Sequence, residues 1–91
     1  MNKENMQNML KDLKDNKIRS LHYKVYNNGY YNMLKFNITN SYKTTDYVSI
    51  SNNYNVVNLV VNKIRKITKT NNLYFVTINN NIEIILSKIK L

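Results

Sequence analysis

Cysteine, proline, tryptophan and alanine are absent from this chain, and glycine occurs once, at Gly29. Without cysteine there is no disulfide, no thiol chemistry and no sulfur-based zinc site. One glycine rules out phosphate-cradling loops, which need several for close backbone approach. His22 is the one histidine and five acids are scattered over 91 residues, so no metal site and no cofactor are expected. No apolar run approaches the length of a membrane span, and the opening MNKENMQNML lacks a signal-peptide core. These absences predict a cytoplasmic, intracellular protein with no membrane partner.

What is present is equally lopsided: 19 Asn, 12 Lys, 10 Ile and 8 Tyr, with a net charge of +9. Residues with AT-rich codons dominate, which points to an AT-rich genome. Twelve of the fourteen basic residues are Lys, so codon usage accounts for part of the charge, and the usual reading of a basic chain as a nucleic-acid binder is discounted accordingly. The length predicts one domain, residues 1–91, with no linker or repeat.

The stretch 52–69 reads as the element around which the chain is organised. Wound at 100° per residue, it gathers Tyr54, Val56, Val57, Val60, Val61, Ile64 and Ile67 in an arc of about 160°, the pattern of an amphipathic helix. Asn55, Asn58, Asn62, Arg65, Lys66 and Lys69 fill the opposite side, with Asn52 or Asn53 as cap. Periodicity is set here above propensity, since Val and Asn are poor helix formers. A first helix is expected over 3–16, with Met6, Met9, Leu10 and Leu13 as its buried stripe, Asn2 as its cap, and Asp12 and Asp15 on the solvated side.

Between the helices, 18–38 reads as a hairpin about Asn28-Gly29, both of which tolerate the positive φ of a type I′ turn. That turn sets the register: Leu21 opposite Phe36, Tyr23 opposite Leu34 and Val25 opposite Asn32 on one face. His22 opposite Lys35, Lys24 opposite Met33 and Tyr26 opposite Tyr31 lie on the other. Asn40–Thr45 reads as a polar connection and Asp46–Ser51 as a strand. A closing hairpin spans 73–89 around Asn79-Asn80-Asn81, with Phe75 opposite Leu86, Val76 opposite Ile85 and Thr77 opposite Ile84. The predicted class is α+β in the order α-β-β-β-α-β-β, two helices on an antiparallel sheet.

The first five elements resemble double-stranded-RNA-binding domains in order. The second helix, however, begins Asn52-Asn53-Tyr54-Asn55 instead of with lysines, and no proline is available for their Gly/Pro loop. Asn58-Leu59-Val60 and Ile78-Asn79-Asn80 loosely resemble the two motifs of Sm-like barrels. The missing Arg-Gly pair and the helical reading of 52–69 oppose that assignment, and no family is assigned.

A Ser-His-Asp site would have to draw on His22 with Asp46 or Glu83, and no spacing favours it, so the chain is read as a non-enzyme. Two surfaces are singled out. The hairpin face, His22, Lys24, Tyr26, Tyr31, Met33 and Lys35, interleaves aromatics with cations as single-strand binders do. The same residues would also suit a solvated ribbon with a stabilising tyrosine pair. The polar side of 52–69, with Arg65, Lys66 and Lys69, could reach bases and phosphates, although basic residues at a helix C-terminus are ordinary.

The leading expectation is therefore binding of a nucleic acid or ribonucleoprotein. A second is an inhibitor of a host defence protein encoded by a phage or mobile element, similar in size and type to small anti-CRISPR proteins. A third is a structural homodimer joined through Tyr74, Val76, Ile78 and Ile85.

Overall fold

A computed structural model describes residues 2–91. Helix α1, Asn2–Lys14, is followed by eight strands: β1 Ser20–Asn27, β2 Tyr30–Asn37, β3 Asn40–Lys43, β4 Tyr47–Ser51, β5 Val56–Val60, β6 Lys66–Lys69, β7 Leu73–Asn79 and β8 Ile82–Ser87. They form two antiparallel sheets, one in the order β2-β1-β8-β7-β6 and one in the order β3-β4-β5. Every pair is consecutive in the chain except β1 with β8, which joins the start of the meander to its end.

The α+β class stands, but among the described residues there is one α-helix instead of two. Helix α1 buries Met9 and Leu13 and packs on β6 and β3, one strand from each sheet. The Asn5 amide donates to the Ile67 carbonyl at 2.8 Å. Its C-terminus closes through Asn16 at φ 60°, with the Lys17 N–H donating to the Asp12 carbonyl and the Asn16 N–H to that of Leu13. This is the left-handed closure in which Asn substitutes for Gly. The expected Asn2 cap lies outside the described side chains.

The expected helix over 52–69 is instead two strands and a corner. In β5, Val57 and Leu59 are buried while Val56 and Asn58 are exposed, the period of two of a half-buried strand. A single 3-10 turn, Val61–Lys63, follows, and then β6 buries Ile67. The extra residues of that turn shift the inward phase, so spacings that start at two stretch to three and imitate a helical stripe. The β-branched content, set aside in favour of periodicity, was the better guide.

Asn40–Lys43, expected as a connection, is strand β3. Chain corners carry it between the sheets. The Ile38 N–H donates to Arg19 beside the large sheet, and the next N–H, that of Thr39, donates to Ser51 of the small one. The 3-10 corner does the same in reverse, with the Val61 N–H on Asp46 and the Arg65 N–H on Thr77. Strands that switch sheets at such bends build the corners of folded-over sheets.

Leu21, Phe36, Tyr74, Val76, Ile84, Leu86 and Ile67 from the large sheet meet Val48, Ile50, Val57 and Leu59 from the small one in one core. Full burial of one such side chain stabilises by about 1.5–3 kcal/mol. The buried Ser20 hydroxyl donates to the Ile89 carbonyl at 2.8 Å, and among the described residues no buried side-chain polar atom lacks a partner.

Candidate nucleic-acid interface

The first hairpin adopts the expected register in full, from Ser20 opposite Asn37 to Asn27 opposite Tyr30. Asn28 and Gly29 take φ 50° and 82°, as the type I′ turn requires. His22, Lys24, Tyr26, Tyr31, Met33 and Lys35 therefore share the face turned away from the core. The Tyr26 and Tyr31 rings lie 5.0 Å apart and tilted by 42°, each close to half exposed. The Lys24 ammonium sits 5.5 Å from the Tyr31 ring centre and 3.8 Å from a Glu83 carboxylate oxygen. Partial burial holds the His22 imidazole below its ordinary pKa, and the neighbouring Lys35 and Lys24 charges act in the same direction.

The closing hairpin departs from expectation by one residue. Asn79 does pair with Ile82, but a bulge at Ile78 puts Thr77 opposite Glu83, Val76 opposite Ile84, Phe75 opposite Ile85 and Tyr74 opposite Leu86. A bulge shifts the register and so exchanges which partners share a face. Tyr74 and Val76 are fully buried in the core, and Ile85 points the other way. The homodimer surface expected from Tyr74, Val76, Ile78 and Ile85 is therefore not a surface of the folded chain.

The same register extends the hairpin face across all five strands. One row runs Lys35, His22, Ile85, Phe75, Thr68; the next runs Met33, Lys24, Glu83, Thr77, Lys66. At about 4.8 Å per strand, the face is about 19 Å wide. Lys66, expected on a helix, is thus the far edge of the surface that begins at Lys35. Phe75 lies half-buried near its middle, and sequence reasoning missed it because the unseen bulge had assigned its partner wrongly.

The other two residues of the predicted helical patch go elsewhere. Lys69 lies opposite Tyr74, on the core side of the sheet at its edge, with its ammonium 5.8 Å from that ring centre. Arg65 precedes β6 at the corner. Asn55 belongs to the β4–β5 turn, Asn58 to β5 and Asn62 to the 3-10 corner, so the helical patch does not exist as one surface.

Asp12 is a further correction. It is not solvated: its carboxylate accepts a 2.6 Å hydrogen bond from the Tyr74 hydroxyl and lies 3.5 Å from the Lys88 ammonium. Burial alone would raise its pKa, but the Tyr74 hydrogen bond and the Lys88 charge outweigh burial and leave it below the ordinary carboxylate value. Burial and the same carboxylate push the Tyr74 phenol well up. A cavity of about 480 Å³ between α1 and β3, with Leu10, Leu13 and Val48 at its base and Lys14, Tyr42 and Lys43 around it, is separate from the basic sheet face.

Among the described residues, no helix is long and apolar enough to cross a membrane, and no three His, Asp or Glu side chains gather as metal ligands. No family model matches the chain, and neither a curated protein nor a solved structure matches it.

Proposed function

We propose that this protein is a non-enzymatic binder of single-stranded nucleic acid, free or within a ribonucleoprotein, and that it binds on the outer face of the five-stranded sheet. The observation that carries this reading is the row structure of that face. Lys35, His22, Lys24 and Lys66 are spread across it, with Phe75 among them, the Tyr26–Tyr31 pair beside Lys24 at the hairpin end and Glu83 as its one acid. Lysines neutralise phosphates, and flat rings accept unstacked bases whatever their identity. A flat sheet suits splayed bases better than a duplex groove, which takes a helix or ribbon.

The test is fluorescence anisotropy with labelled single-stranded RNA, single-stranded DNA and duplex probes. Affinity for the single strands should fall steeply between about 50 and 200 mM salt as bound counterions are released. Tyr26→Ala and Tyr31→Ala should each weaken binding by about 1–3 kcal/mol, the usual value of one base stack. No binding at about 50 mM salt with tens of micromolar protein would rule the reading out.

A further inference from the structure

Four strands bound the two sheets: β2 and β6 the large one, β3 and β5 the small one. Exposed edges present unpaired backbone donors and acceptors, and proteins blunt them with charge, most often lysine. Lys35 does this on β2, Lys43 on β3, and Lys66 and Lys69 on β6. Strand β5 is Val-Val-Asn-Leu-Val, with no charge, no bulge and no glycine or proline to break it. Val56 is 63% exposed there. The neutral surface continues into a groove of about 230 Å³ lined by Tyr23, Leu34, Val56, Val57 and Asn58. Leu34 is 40% exposed although it lies on the core-facing side of β2.

We infer that β5 is the site at which two copies of this chain pair, antiparallel about a two-fold axis at Asn58. The strand is self-complementary in that arrangement. Val56 of one copy lies opposite Val60 of the other, Val57 opposite Leu59, and Asn58 opposite itself, and the two small sheets become one of six strands. A second copy fits better than an acidic partner, because acidic groups are drawn to the lysine-bearing edges, whereas β5 itself carries no charge and only Lys63, past its end, stands beside Asn58, Leu59 and Val60. For two chains of +9, this neutral strand is also the line of closest approach that sets the fewest like charges together. The inference does not rest on the nucleic-acid reading, and its salt dependence has the opposite sign. Screening relieves repulsion between the copies, so dimerisation should strengthen with salt while nucleic-acid binding weakens.

The test is sedimentation equilibrium without nucleic acid, over about 10 to 500 µM protein at low and high salt, where mass action reveals self-association. The expected result is a mass that rises from one chain toward two, with a tighter constant at the higher salt. Val56→Lys and Asn58→Lys change exposed side chains and should each weaken the dimer at least about tenfold. Asn40→Lys adds the same charge to the β3 edge and should leave the constant unchanged, with circular dichroism confirming that all variants fold. A monomer throughout the range would overturn the inference. So would Asn40→Lys weakening the dimer as much as Asn58→Lys, which would make net charge, not the β5 edge, the determinant.

Discussion

Tyr74 is fully buried, yet its hydroxyl has a partner because Asp12 on α1 reaches it. This one bond ties the helix to β7 of the large sheet, with Lys88 balancing the charge at 3.5 Å. Asp12→Ala should cost about 1–3 kcal/mol, the usual penalty for leaving a buried polar group unsatisfied. The pH dependence has a definite sign. The folded Asp12 carboxyl titrates below its ordinary value, so its contribution is complete above the unfolded pKa of about 3.9 and fades as acid protonates the folded form. Urea denaturation should therefore separate wild type from Asp12→Asn at neutral pH and bring them together toward about pH 2. His22 runs the other way. Its lowered pKa leaves the ring neutral at pH 7, and a bound phosphate would favour the protonated form. Affinity for single-stranded RNA should rise from about pH 7.5 to 5.5, and His22→Gln should remove that rise; anisotropy titrations at fixed salt measure both.

Turn residues hold the elements in register. Gly29 sits at φ 82° with no atom within 4 Å of where a Cβ would stand, so Gly29→Ala meets conformational strain alone, about 1–2 kcal/mol. Asparagine holds two other turns by a different means, through its side-chain oxygen. The Asn52 side-chain oxygen accepts from the Tyr54 and Asn55 N–H groups, and that of Asn79 from those of Asn81 and Ile82. Asn52→Ala and Asn79→Ala should each lower unfolding free energy by about 1 kcal/mol or more, read from denaturant midpoints. These side chains also show what the sequence made legible. Asn28-Gly29 specified its hairpin outright, and so five of the eight site residues fell together on one face. Asn52 was recognised as a capping residue, but an asparagine that closes a tight turn and one that starts a helix look alike in sequence. Lys66 could be placed beside Lys24 only by knowing that β8 and β7 lie between them. The Ile78 bulge has no mark in sequence, and it hid Phe75.

At the scale of the whole molecule, the charge is uneven in its uses. Lysines guard three sheet edges and lie across the outer face, while α1 carries two of the five acids, Glu4 and Asp12, and lies against β3 and β6. The large sheet needs strands far apart in sequence, since β1 takes β2 on one side and β8 on the other. In a growing polypeptide, β1 must wait with one edge open until β8, Ile82–Ser87, has been synthesised. Its inward Leu21 and Tyr23 wait with it. Topologies dominated by distant pairings fold slowly, so refolding followed by stopped-flow fluorescence should take milliseconds to seconds despite the small size. A chain ending before Ile82 should fail to reach a cooperative fold, seen as loss of a sharp thermal transition. Strand β8 is therefore also the folding checkpoint: until it is present, β1 has one edge still open.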